Sequence, residues 1–208
     1  MERDQRLLTH PDKAIDYSEY FRILERHALN PALNENMPWG GEKSEFIRLN
    51  YQRSRRIQKT YGPSRETLDL LKNLNQSQTW IVMSEIWCGD SAQILPVLAR
   101  LAEESGNINL KILFRDENPE LMDRFLTDGK RSIPKLLALD EKGELLFKWG
   151  PRPRMAADLF RSLKAEGLEK DRILMELHKW YTKDRGISVE KELCAKIGFL
   201  QQVARVES

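Results

Sequence analysis

The chain has 208 residues, 32% of them charged, and its formal net charge is only +2. That length can bury a substantial core and fits one domain with appendages, while the near-cancelling charge argues against a partner chosen by bulk electrostatics, nucleic acid and anionic membrane included. The stretch Met1-Glu2-Arg3-Asp4-Gln5-Arg6 lacks the apolar centre of a signal peptide, and no apolar run approaches the roughly 20 residues that cross a bilayer. A cytoplasmic location is therefore expected, and in a reducing compartment Cys88 and Cys194 are thiols at rest.

Residues 1–62 read as a helical, polar extension. Tyr17, Tyr20, Phe21, Leu24 and Leu29 supply one apolar stripe, and Phe46, Leu49 and Ile57 a sparser one; between them Pro31, Pro38, Gly40 and Gly41 punctuate a loop. From residue 63 the pattern sharpens. Pro63-Ser64 opens a helix with Leu68, Leu71 and Leu74 on one face and Ser64 as N-cap. Thr79 to Met83 is a short β-rich apolar run, read as a buried strand. The next helix buries Ile94, Leu95, Leu98 and Leu101, with Pro96 in its interior as a kink. Leu110 to Phe114 is a second strand. Asn118-Pro119 begins another helix, turning Leu121, Met122, Phe125 and Leu126 inward and ending at Gly129.

Leu136 to Leu139 and Glu144 to Phe147, joined by Asp140-Glu141-Lys142-Gly143, read as a hairpin. A helix carrying Met155, Leu159 and Leu163 follows and stops at Gly167. Strands joined through a helix imply a parallel pair with a right-handed crossover, and the hairpin must be antiparallel. The expected class is thus α/β, a mixed central sheet flanked by helices over residues 63–167. Residues 168–208 form a C-terminal helical extension: one amphipathic helix with Ile173, Leu174, Leu177, Trp180 and Tyr181, the last two docking it on the core, then a shorter one capped by Ser188 with Leu193 and Ile197 inside.

Chemistry concentrates at Trp87-Cys88-Gly89-Asp90-Ser91, between the first strand and the Pro96 helix. A cysteine on the first turn of a helix faces unsatisfied N–H groups and the positive end of the dipole, which favour a thiolate. The bland alternative is a small buried hydrophobe, the common fate of a free cysteine.

The motif, together with its surroundings, resembles the thioredoxin family. Trp87-Cys88-Gly89-Asp90-Ser91 resembles that family's Trp-Cys-Gly-Pro-Cys, and Pro96 lies eight residues after the cysteine, where the family has its helix-kinking proline. Arg131-Ser132-Ile133-Pro134 resembles the loop holding the cis-proline, and Gly150 matches the glycine after the hairpin. Within the family the chain is similar to a group of bacterial proteins with long terminal extensions and a Trp-Cys-Gly-Asp motif. The resemblance implies a thioredoxin fold with extra helices at both termini, no cofactor, and thiol–disulfide exchange with protein or small-molecule thiols and disulfides as partners. It makes Cys88 the nucleophile, Ser91 its hydrogen-bond partner, Trp87 an apolar wall, and Ile133 and Pro134 the elements that position substrate.

Three departures bear on the reaction. Ser91 stands where the resolving cysteine would be, Val82 occupies the place of a buried acid, and Asp90 replaces the proline. One cysteine suffices to attack a disulfide, but a serine hydroxyl cannot resolve the product. An external thiol would then complete the cycle. Cys194 could do so only with Cα atoms within about 7 Å, and it reads instead as packing. Asp90 raises the Cys88 pKa while the helix terminus and Ser91 lower it, for an expected value modestly below that of a free thiol.

The remaining signals read as structural. Arg53, Arg55, Arg56 and Lys59 form a basic run that is a solvated helix face, Pro38 to Gly41 is a turn, and His10, His27 and His178 have no partner at metal spacing. No metal, nucleic acid or membrane partner is expected. The resulting expectation is a cytoplasmic monothiol redox protein with a CxxS motif, a disulfide oxidoreductase lacking the resolving cysteine. The alternative is a redox-inactive thioredoxin-fold module that binds peptide or serves as an adaptor.

Overall fold

The computed structural model describes residues 13–206; Met1 to Arg6 and His10 lie outside the described residues. Four strands form one sheet in the order β2-β1-β3-β4, with β1 Gln78–Ser84, β2 Ile108–Phe114, β3 Lys135–Leu139 and β4 Leu145–Trp149. β1 and β2 are parallel, Trp80 facing Leu110; β3 runs antiparallel to β1, and β4 antiparallel to β3. The mixed sheet and flanking helices are the expected α/β arrangement.

Alternation along the strands sends side chains to two separate cores. Trp80, Val82, Leu110, Ile112, Leu136 and Ala138 enter the larger one. Ile81, Met83, Leu113, Leu137 and Leu139 face the opposite way and form a smaller core with Leu121, Met122 and Phe125. Cys88 and Ile133 belong to this smaller core.

The helices are α1 Tyr17–Leu29, α2 Ser44–Thr60, α3 Arg65–Lys72, α4 Gly89–Ser105, α5 Pro119–Asp123, α6 Arg154–Ala165, α7 Lys170–Asp184 and α8 Ile187–Val206. Ser64 caps α3 as expected, its hydroxyl accepting from the Thr67 amide at 3.2 Å. Pro96 lies inside α4, whose Ile94, Leu95, Leu98 and Leu101 are all buried.

Several element ends differ from the sequence pattern. α5 stops at Asp123 rather than near Gly129, because the chain turns through a Thr127–Lys130 bridge and leaves Leu126 exposed. Leu29, Phe46 and Met155 are exposed rather than core, their places taken by Ala28, Ile47 and Ala156, one residue away on the helix. Ser188 sits within the first turn of α8, where Asp184 accepts from its amide, and α8 runs 20 residues rather than being short. No described helix is long and apolar enough to cross a membrane.

Candidate active site

β1 delivers the chain to a tight turn in which the Cys88 amide donates to the Glu85 carbonyl at 3.0 Å, and Cys88 becomes the N-cap of α4. Helix α2 holds this turn from both sides. Asn50 donates to the Ile86 carbonyl at 3.0 Å and Ser54 to the Ala92 carbonyl at 3.0 Å, each from a fully or almost fully buried side chain. Helix α2 therefore fixes the motif in place.

Opposite the turn, the Ile133–Pro134 peptide is cis and the Cys88 thiol donates to the Ile133 carbonyl at 3.4 Å. Gly150 backs this loop. A Cβ there would lie 2.3 Å from the Pro134 carbonyl oxygen, and its φ of +103° suits glycine.

Of the expected site residues, Trp87, Cys88 and Ile133 line one open groove of about 790 Å³. Pro134 is buried next to Ile133, and Ser91 is fully buried; its Oγ meets no partner at hydrogen-bond geometry and bears on the Cys88 thiol only as a neighbouring dipole. Trp87 is more than an apolar wall: the Arg115 guanidinium lies 4.9 Å and the Lys43 ammonium 5.6 Å from its ring centroid.

The thiol departs from expectation. Cys88 is only 8% exposed, and burial, with the Asp90 carboxylate adding to it, pushes its pKa up to about 11; the Ser91 hydroxyl and the amides of Ser91 and Asp90 pull the other way without winning. The helix terminus acts as predicted, but desolvation exceeds it. At pH 7 this leaves on the order of one thiol in ten thousand ionised.

Asp90 is held rigidly. It is 9% exposed; Tyr181 of α7 donates to its Oδ1 at 2.8 Å, and Arg152 pairs with its Oδ2 at 2.7 Å. Helix α7 thus packs over the motif, with Tyr181 docking it as the sequence suggested. His178, one helical turn earlier, packs against Gly89, where an added Cβ would meet its ring at 2.8 Å. Its Nδ1 lies 3.3 Å from Gln93 Nε2. Burial, then the charges of Arg53, Arg56 and Arg152, depress the imidazole pKa to about 3, so this ring is neutral.

The basic run on α2 divides. Arg55 stacks over Tyr51, but Arg53 and Arg56 turn toward the site instead of solvent. Arg56 reaches Gln93 and Thr182, and Arg53 Nη1 lies 3.5 Å from where a Gly89 Cβ would be.

Val82 is an ordinary core residue, and a buried acid stands three residues further on. Glu85, 4% exposed, accepts from the Asp116 amide at 2.9 Å, and burial raises its pKa to about 7. Arg53, Glu85, Arg152 and His178 were not selected from the sequence. Arg152 alone had a usable signal, two residues after the matching glycine.

Cys194 lies elsewhere. Its sulfur is 3.3 Å from Thr67 Oγ1, and the same hydroxyl donates to Glu190; its neighbours Leu193 and Ile197 belong to the larger core, whereas Cys88 belongs to the smaller. Among the described residues no group of three His, Cys, Asp or Glu side chains could hold a metal ion.

Sheet order, motif position and the loop opposite the sulfur define the thioredoxin fold. A thioredoxin family model matches residues 41–164, well over half of the chain, and the chain belongs to that family. Among solved structures it is similar to a protein of unknown function from Pseudomonas aeruginosa, at 19% identity and a TM-score of 0.52 over 77% of this chain and 86% of the other. It is also similar to an HIV epitope scaffold, at 19% identity and a TM-score of 0.55 over 88% and 98%. Both likenesses concern the fold. No curated protein matches.

Proposed function

We propose that the protein is a monothiol redox protein that carries out thiol–disulfide exchange through Cys88. The observation that supports this most is the position of the sulfur, at the N-cap of α4 on an open groove and beside the Ile133 carbonyl. The Cys88 thiolate attacks one sulfur of a disulfide; a Cys88–substrate disulfide forms, the old S–S bond breaks, and the other sulfur leaves as a thiolate that takes up a proton. Ser91 cannot displace that product, and Cys194 stands with a different core, so an external thiol attacks it, releasing a disulfide and restoring Cys88.

A pKa of about 11 slows this chemistry without forbidding it. Two units above the usual 9.0 cost about 100-fold in thiolate fraction, but nucleophilicity rises with pKa and returns roughly six- to tenfold, for a net loss of about tenfold. Thiols and disulfides of proteins or small molecules are the proposed partners, and the cytoplasm the proposed location.

The test is intact mass after exposure to small disulfides. Adducts on Cys88 that small thiols reverse support exchange, and an inert Cys88 refutes it. The raised pKa favours one rival, a redox-inactive module that binds peptide in the same groove; inertness combined with peptide binding would establish that rival.

A further inference from the structure

The groove beside Cys88 is basic in a way that the near-neutral chain is not. Seven of its lining side chains are Lys or Arg, and only Asp90 and Asp171 are carboxylates. Four of the seven cations are already paired: Arg152 with Asp90, Arg115 with Asp116, Arg131 with Asp123 and Lys179 with Glu176. Lys43, Arg53 and Lys170 have no carboxylate partner among the described residues. They come from two parts of the chain far apart in sequence, α2 with the turn before it, and the start of α7.

Arg53 is the informative one. It is half-buried, its guanidinium borders Gly89 next to the sulfur, and its one side-chain acceptor is neutral Asn50, at 2.8 Å. Holding a cation without a paired carboxylate out of water is costly; burial and then the neighbouring Arg56 charge outweigh the attraction of Asp90 and bring its pKa down to about 10, so it remains a cation at neutral pH. Arg152 also lines the groove, its charge already met by Asp90. Arg53, with Lys43 and Lys170, offers an anion charge that no carboxylate pairs.

We infer that the groove takes a low-molecular-weight thiol, free or as its disulfide, that carries two or more carboxylate or phosphate groups. This rests on Cys88 exchange and names the external thiol's class. Writing the anionic thiol as RSH and a protein mixed disulfide as PSSR, Cys88 takes up the RS group, forming Cys88–S–S–R and releasing PSH. One free RS⁻ then attacks, giving RSSR and the Cys88 thiolate, so the net reaction is PSSR + RSH → PSH + RSSR: the P–S sulfur is reduced, and the free thiol is oxidised together with the RS group that PSSR carried. The cations hold R in both steps and stabilise the thiolate that departs.

The experiment measures the rate of Cys88 adduct formation, by intact mass at low ionic strength, with three small disulfides that differ in charge: dithiodipropionate, hydroxyethyl disulfide and cystamine. The anionic reagent should react about tenfold faster than the neutral one, and the cationic one slowest, as expected of a charged cleft. At 1 M salt, where screening acts within about 3 Å, the three should converge. Arg53→Gln with Lys170→Gln should lower the anionic-to-neutral ratio by about tenfold, while Lys59→Gln, exposed and outside the groove, should keep it. Glutathione disulfide and coenzyme A disulfide as further arms separate carboxylate from phosphate.

Equal rates for the three reagents, or a faster cationic one, overturn the inference and leave exchange standing. If no disulfide reacts, exchange fails, and the anion site is judged separately by calorimetric titration of Cys88→Ser protein with S-methylglutathione. Salt-sensitive binding weakened by Arg53→Gln upholds the site, and no binding rejects it. Displacement of that small anion by a single-stranded oligonucleotide at lower concentration would reassign the surface to nucleic acid.

Discussion

The hydroxyl of Tyr181 lies 2.8 Å from Oδ1 of Asp90, joining α7 to a residue two places after Cys88. Tyr181 is 2% exposed, so its replacement by Phe leaves a buried carboxylate oxygen one donor short. The expected loss is about 1–3 kcal/mol. Arg152→Met, which strands the Asp90 charge, should cost about 3–5 kcal/mol, and adding Asp90→Asn should recover much of it. Urea unfolding of the four proteins checks this; if the double variant is no more stable than Arg152→Met alone, the Asp90 charge is not what the arginine compensates.

The Cys88 thiol should be alkylated slowly at neutral pH, with a rate climbing to an apparent pKa near 11. Asp90→Asn removes the second contribution to that shift and should bring the midpoint down. A folded-state thiol pKa above its ordinary 9.0 also has a consequence for stability, which is fully present below pH 9 and is lost as pH rises toward 11. Iodoacetamide kinetics across pH settle the first point, and a midpoint at or below 8.5 would contradict the dominance of burial.

Ser91→Cys should create an activity that the parent lacks. The serine side chain is fully buried directly after Asp90, at the position from which a second thiolate attacks a mixed disulfide in one intramolecular step. In a single turnover of the reduced protein with insulin and no added thiol, the variant should therefore release reduced insulin and keep an intramolecular disulfide, whereas the parent should stop at the Cys88 mixed disulfide. If the parent also releases reduced insulin without added thiol, the account of Ser91 is wrong.

Acid should act on two buried groups in opposite senses. His178, depressed to about 3, contributes stability above its unfolded value of 6.5 that is lost as pH falls. Glu85, raised to about 7, contributes stability below 4.5 that is lost as pH rises. Between about pH 4.5 and 6.5 the two slopes oppose each other. Relative to the parent, His178→Gln should lose less stability on going from pH 6.5 to 5, by up to about 2 kcal/mol, and Glu85→Gln should lose less on going from 5 to 7. Denaturant midpoints that move in parallel for all three proteins would dismiss both assignments.

Gly150→Ala should be among the most damaging small substitutions, at about 3 kcal/mol or more, because the new methyl meets a backbone oxygen that cannot step aside and the positive φ disfavours it. Gly62→Ala, with open space around it, should be close to neutral. Thermal unfolding of the pair makes the comparison.

The central fold is legible in the sequence because its signals are local. An apolar run, a turn and a helix with Pro96 give β1, the motif and α4, and Pro134 and Gly150 fall at matching distances. What lies above the motif is not legible. Nothing in the pattern of α7 says that His178 covers Gly89 or that Tyr181 reaches Asp90, since helical periodicity reports which residues share a face and not which surface that face meets. The same holds for α2, where Arg53 and Arg55 look alike in sequence although one turns to the site and the other stacks on Tyr51. Cys88 shows a related limit: strand, turn and helix predict a low pKa, but the extent of burial that reverses it depends on the smaller core and on the Ile133 loop, 45 residues away.

α7 supplies Leu174, Met175 and His178 to one side of the groove, and the chain around α2 supplies Lys43, Phe46 and Arg53 to another. The sulfur and the α2 side of the groove thus lie within the family-matched residues 41–164, while the α7 side lies beyond them. The motif and the wall that faces it can diverge independently in such a molecule: exchanging α7 between relatives would change what is admitted to Cys88 without altering the turn that holds the sulfur.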